Sequence, residues 1–267
     1  MELTPNVFQT LGATAKNSFI TRLTVTPPIF WAIQILITSF FTMFFFVILA
    51  DFIGNPEVTV TFVVIGNAVQ SVAATTLYSV AEIPSVEKHV GTIESLTNTP
   101  SSLFSVFLGM SVFSIFMGMI SMIVSLVYAA FLFDVSFASC NFLSVGVIII
   151  LTCLSLTGVG MLIGGLGIHL RTSAIIANVV AYIGLLISGV NFPLSYLPEW
   201  VQHISYAFPL TYAVEATRDA VNGASIIDLA YPLACMITLG TIFAILAWYS
   251  FRFFEKRSRM AGNMDSF

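Results

Sequence analysis

Charge is what this sequence has least of. Only 8% of its 267 residues are Asp, Glu, Lys or Arg, whereas soluble domains carry about a quarter. Mean hydropathy is +0.99 and the isoelectric point about 5.2. The deficit excludes an ordinary soluble domain, and a formal net charge of −4 offers nothing for nucleic acid to bind. Cysteine is scarce too. The 3 residues, Cys140, Cys153 and Cys235, are far apart, which excludes a disulfide framework or a cysteine metal cluster. The lysines are Lys16, Lys88 and Lys256, and none follows a glycine. A phosphate-cradling Gly-Lys-Ser/Thr loop is therefore absent, as is the GxSxG elbow of hydrolases. The sequence holds no catalytic or metal-binding constellation. No cleavable signal peptide is expected either. The first apolar run, from Ile29, is too long for one and reads as a retained span.

What is present is a series of long apolar runs. The sequence predicts an all-α integral membrane protein with six spans, about 29–50, 58–81, 103–133, 142–168, 174–190 and 229–251. The span at 103–133 exceeds what a bilayer needs, so it tilts or projects into water. Together these spans form one transmembrane domain, 29–251. Before it, at 1–28, Phe8, Leu11, Ala15, Phe19 and Leu23 recur at helical spacing with Lys16 and Arg22 off the seam. That is an amphipathic helix for the membrane's cytoplasmic face, ended by Pro27-Pro28. After it comes a basic tail, 252–267. With the N-terminus inside, Lys16, Arg22, Lys88, Arg171, Arg252, Lys256, Arg257 and Arg259 are all cytoplasmic, and only Arg218 is external. This asymmetry sets the orientation, with both termini cytoplasmic.

As drawn, the six spans contain no ionisable Asp, Glu, Lys, Arg or His. An ion-coupled transporter keeps such a group at membrane depth, and an intramembrane metalloenzyme needs carboxylate or imidazole ligands there. The polar groups left inside are neutral: Gln34, Asn67, Gln70 and Asn178. They bridge helices or face a pathway. Gly160 and Gly164 form a GxxxG in the fourth span, which reads as close packing within one subunit.

Two polar intervals remain. Glu82–Ser102 is predicted to leave the membrane on the cytoplasmic side and, after a turn at Pro84, to form a short helix from Glu87 to Thr99. Val90, Ile93 and Leu96 share one face of that helix, and Pro100 stops it. The external interval, 191–228, holds Pro193, Pro198 and Pro209 yet stays apolar. It predicts a re-entrant hairpin, with one helix near Glu199–Ala207 carrying Trp200 and a second from Leu210 to Val221, opened by Pro209. Glu215, Arg218 and Asp219 fall at i, i+3 and i+4, so the arginine is expected to pair locally.

Glu87-x-x-x-Gly91-Thr92-x-Glu94-x-Leu96-x-x-Thr99-Pro100 resembles the loop between spans two and three of type-2 permeases of ATP-binding-cassette (ABC) exporters. Gly189, Phe192-Pro193, Leu197-Pro198, Trp200, Pro209-Leu210-Thr211-Tyr212-Ala213 and Glu215-Ala216-x-Arg218 resemble the stretch those permeases carry between spans five and six, somewhat closer to the drug-export branch than to the polysaccharide branch. The resemblance implies a permease dimer with two copies of a separate ATPase subunit, which carries ATP and magnesium while this chain carries no cofactor. It implies that Glu87–Pro100 is the coupling helix seated on the ATPase, with Arg171 also ATPase-facing. The implied path is lined largely by spans two and five and capped by the hairpin. Asn67, Gln70, Asn178 and Phe192 are its candidate lining. The expected function is ATP-driven export of an amphiphilic drug-like, peptide or lipid-like substrate across the cytoplasmic membrane. A lipid-linked polysaccharide exporter is the alternative, and an ATP-independent channel or secondary transporter the second.

Overall fold

The computed structural model describes residues 7–92, 95–96, 101–170 and 173–261, with side chains at 9–92, 95–96, 101–167 and 173–256. Among the described residues every regular element is helical. Helix α1 is Val7–Val25 and α2 Pro28–Ile53. Next, α3 (Val60–Val72) runs through a π-helical turn, Ala73–Leu77, into α4 (Tyr78–Val90). There follow α5 (Leu103–Leu132), α6 (Phe142–Leu170) and α7 (Ser173–Ile187). The chain ends with α8 (Glu199–Ser205), α9 (Pro209–Val221) and α10 (Ala230–Ala261). Among the described residues five stretches are long and apolar enough to cross a membrane: Pro28–Ile53, Val60–Val90, Leu103–Leu132, Phe142–Gly167 and Ala230–Lys256. Helix α7 is apolar but has only 15 residues, a rise of roughly 22 Å against a hydrocarbon core of about 30 Å.

Helix α6 is the hub, and its glycines make it so. Side chains added at Gly160 and Gly164 would crowd the carbonyls of Leu77, at the end of the π-helical turn, and of Ala81 in α4, while Gly158 and Gly165 face Gly240 and Ser250 of α10. Without Cβ atoms on two faces, α6 takes a backbone-to-backbone neighbour on each side. The GxxxG thus packs within the subunit. Leu156, Ile148 and Cys153 of α6 join Leu210, Met122 and Met236 in a fully buried core. Helix α2 lies at the periphery, with Phe41, Phe45 and Phe52 exposed, the surface a lipid-facing helix presents.

Two expectations about the helices are corrected. The chain does not turn at Pro84. The helix runs through it to Val90, with Pro84 buried against Gly164. Proline removes one backbone bond, and a membrane-type helix tolerates this where neighbouring packing compensates. In α1, the buried face carries Ser18 and Arg22 rather than Leu23. Ser18 Oγ donates to Met110 O at 3.1 Å, Phe19 packs edge-on to Phe113 at 5.2 Å, and the Arg22 guanidinium sits 5.5 Å from the Phe113 ring. Helix α1 is therefore seated along the first half of α5.

The bundle has two distinct ends. At one, Glu255 Oε1 of α10 accepts from Leu103 N at 2.7 Å and caps the start of α5. At the other, Tyr196 Oη donates to Glu57 Oε2 at 2.7 Å and accepts from Asn55 Nδ2 at 3.0 Å. This joins the α2–α3 turn to the segment after α7.

Candidate functional site: a polar cleft and a second cavity

Span one carries its neutral polar residues at helical spacing: Gln34, Thr38 and Thr42, with Ser39 beside them. The second span does the same with Asn67, Gln70, Ser71, Thr75 and Ser79. The fold turns these two stripes toward each other, and they line a cleft of about 200 Å³. Trp31, Tyr78 and Glu82 also line it, at the end where α4 terminates. Its floor is α5, where Ser121 accepts from Thr75 Oγ1 at 3.2 Å and donates to Ser71 O at 3.4 Å.

The π-helical turn sits in the middle of this wall. Thr76 Oγ1 donates to Ser114 O at 3.3 Å, and Ser79 and Ser114 share a hydrogen bond of 2.7 Å. A π turn re-aims side chains inside a helix and is frequent at functional positions. Here it directs Thr75 to the cleft floor and Thr76 into α5.

Some buried polar atoms of this cleft have no hydrogen-bond partner: Asn67 Oδ1, Gln70 Oε1 and Trp31 Nε1. Asn67 Nδ2 donates to Val63 O at 2.9 Å and to Asn191 Oδ1 at 2.8 Å. Gln70 Nε2 reaches Ala181 O at 3.4 Å, linking span two to α7. A buried polar atom without a partner carries a desolvation cost, so the cleft is ready to hydrogen-bond a visitor.

Beyond Asn191 lies a second, mostly apolar cavity of about 550 Å³. Phe46, Leu49, Leu186, Phe192 and Leu197 are among its walls. The segment after α7 is held from the α9 side. Arg218 Nη2 donates to Phe62 O at 3.0 Å and to Val190 O at 2.9 Å, and its guanidinium lies 3.4 Å from the Phe62 ring centroid. This corrects the local pairing expected at i, i+3 and i+4. No ion pair joins Arg218 to Glu215 or Asp219, whose charges act on it only at longer range. Burial outweighs the pull of the two carboxylates and leaves the guanidinium pKa lowered to about 9, so it remains charged at neutral pH. Glu215 is shifted upward, first by burial, then by Asp219.

The other expected residues divide into three groups. Asn67 and Gln70 meet in the cleft, whereas Asn178 lies exposed on α7, outside it, and Phe192 lines the second cavity. At the hairpin, Pro209 opens α9 and is buried, Pro198 begins α8, Pro193 precedes a short 3-10 turn, and Trp200 is exposed. In the loop after α4, the single helix expected from Glu87 to Thr99 is interrupted at Gly91 and Thr92. The long helix ends at Val90, which is 69% exposed, and Gly91 takes a left-handed φ of 80° as its cap. Thr92 Oγ1 then donates to both Glu87 O and a Glu87 carboxylate oxygen. Leu96 packs against the cluster of Val80, Ile83, Leu103 and Phe107. Glu94, Thr99, Pro100 and Arg171 lie outside the described residues.

Reading the sequence alone missed Thr38, Ser39, Thr42, Thr75, Ser121 and Asn191. The spacing of Gln34, Thr38 and Thr42 was the available signal for span one. Nothing in the sequence pointed to Asn191.

Long apolar helices around a polar cleft, with the buried helix α9 packed at one end, mark a multi-pass membrane protein. The chain belongs to the ABC-2 type transporter family, whose description matches residues 9–222. It is thus a permease component of an ABC transporter, and the family implies an ABC ATPase as partner. No curated protein matches it significantly.

Proposed function

We propose that this chain is the membrane subunit of an ATP-driven exporter that moves an amphiphilic substrate out across the cytoplasmic membrane. In this reading α7 is a sixth, short span, both termini are cytoplasmic, and the 191–228 hairpin is external. Two permease copies and two ATPase subunits form the working unit. ATP and magnesium bind to the ATPase, and the segment around Glu87, Gly91, Thr92, Glu94, Leu96, Thr99 and Pro100, with Arg171, transmits its movement.

The observation that carries the reading is the cleft itself. It runs lengthwise between α2 and the α3–α4 helix, is lined mainly by hydroxyls and amides with Glu82 at one end, and holds unpartnered oxygens at Asn67 and Gln70. Uncharged polar groups suit a substrate that passes between water and the bilayer. The few described charges on the spanning helices, such as Asp51, Glu82 and Lys88, sit toward helix ends, so the driving energy comes from the partner. The drug-like or lipid-like reading of the substrate rests on the resemblance of the hairpin motif and on this lining.

The test is purification of the tagged chain from its native membranes in mild detergent, with mass spectrometry of what accompanies it. A P-loop ATPase at about one copy per permease is expected, as the dimeric arrangement of the family requires. The permease recovered alone in gentle lipid systems with ATP present would count against the exporter.

A further inference from the structure

The polar cleft and the apolar cavity share no wall residue, yet a hydrogen bond joins a wall residue of one to a wall residue of the other. Asn67 lines the first and Asn191 the second, and their side chains meet at 2.8 Å. The two residues belong to different elements, α3 and the segment after α7, and Arg218 of α9 grips both. It reaches Phe62 O, just over one turn before Asn67, and Val190 O, next to Asn191. We propose that the Asn67–Asn191 hydrogen bond is a gate between the inner cleft and the outer cavity, and that Arg218 is the positioning residue that holds the gate's two sides together. The proposal rests on the reading of the cleft as the transport path.

Three further observations point the same way. A Cβ at Gly66 would lie 2.0 Å from Val190 O and 2.9 Å from the Arg218 guanidinium, so only glycine there lets the 190 backbone seat on α3. Gly189 has a φ of 68°, the left-handed turn that brings Val190 inward at no steric cost. Finally, the closed pair leaves Asn67 Oδ1 unpartnered. A closed state that strands a buried acceptor is not the best-satisfied one, and opening lets that oxygen bond water or a polar head group. A neutral amide pair is weak enough to break and remake. The arginine fork is suited to the fixed side of such a device, because one planar group meets two carbonyls at once.

The experiment uses the full chain in membrane vesicles without ATP, in a background with Cys140, Cys153 and Cys235 replaced by alanine. Ser71→Cys places a reporter in the cleft, one turn from the gate. Glu57→Cys, in a separate sample, marks the outer-cavity side. A membrane-impermeant maleimide is added to each side in turn. With the gate intact, Ser71→Cys should be protected from the side that labels Glu57→Cys. Asn191→Ala should raise its labelling rate from that side about tenfold, the shift that loss of one hydrogen bond gives to an open–closed equilibrium. Arg218→Gln should do the same.

Labelling from the opposite side should not change, whereas general loosening of the bundle would raise both. Asn191 is only partly buried, so Asn191→Ala tests the gate even where Arg218→Gln fails to insert. An unchanged rate in Asn191→Ala, or full labelling with the gate intact, overturns the gate. A rise in Asn191→Ala with none in an inserted Arg218→Gln overturns the role of the arginine. None of these readings needs the ATPase. A failed co-purification therefore removes the exporter and leaves the labelling result standing, and the reverse also holds.

Discussion

Glu215 sits on α9 beside Asp219, Arg218 and Tyr206. Burial and the Asp219 charge raise its pKa above the ordinary value, while Arg218 and a hydrogen bond from Tyr206 oppose the rise. The folded chain therefore holds this proton more tightly than the unfolded chain. The stability it contributes is fully present below the ordinary carboxylate range and is lost as pH rises through the raised folded value. Glu215→Gln should accordingly raise the melting temperature in detergent by a few degrees at pH 7, and the gain should fade as the pH is lowered past the ordinary carboxylate value. A gain independent of pH would assign the effect to packing instead. Arg218, one turn away, shows why residue spacing alone misleads. Its carboxylate neighbours at i−3 and i+1 promise a surface ion pair, but the folded chain offers it two carbonyls and a ring from residues far away in sequence.

Among the elements, the start of α5 depends on the end of α10. Leu103 N is one of the donors a helix start leaves free, and Glu255 Oε1 accepts from it. Ser102 Oγ accepts from Ser105 N at 3.3 Å. Glu255→Ala removes a charged acceptor from a helix N-terminus and should cost about 1 kcal/mol, read as a lower melting temperature. Glu255→Gln keeps an acceptor and should lose less. The same contact links the loop after α4 to the last helix, so the end that meets the ATPase in the proposed function is braced by side chains from two spans. The long helix through Pro84 adds to this brace. Read locally, a proline marks a break, yet α4 continues because Pro84 packs into the space that Gly164 leaves on α6.

At the scale of the whole molecule, the two ends of the bundle carry different chemistry, and each can be reported separately. Lys88 lies in the last turn of α4, and Glu57 lies in the turn between α2 and α3, at the end joined to Tyr196. In vesicles of known orientation, Lys88→Cys and Glu57→Cys should be labelled by an impermeant maleimide from opposite sides, Lys88→Cys from the cytoplasmic one. Labelling of both from one side would overturn the proposed topology.

The amino-acid order by itself determined that this is a helical membrane protein, where its apolar runs start and stop, and the family motifs of its two polar intervals. Those are properties of composition, period and local spacing, and they survive any arrangement of the helices. Helix phase relative to neighbours does not. Asn178 and Asn67 look alike as single amides in apolar runs. The packing of α7 through Ala177 and Gly184 turns Asn178 outward, while Asn67 is buried opposite Asn191. Gln34, Asn67 and Gln70 were legible as polar groups in apolar runs, but not that the stripes of spans one and two face each other over a hydroxyl floor on α5. The partner of Arg218, the continuation of α4 through Pro84 and the Asn67–Asn191 contact were decided only by the tertiary structure. Each depends on which backbone surfaces meet, and that follows from the summed packing of glycine faces and buried side chains.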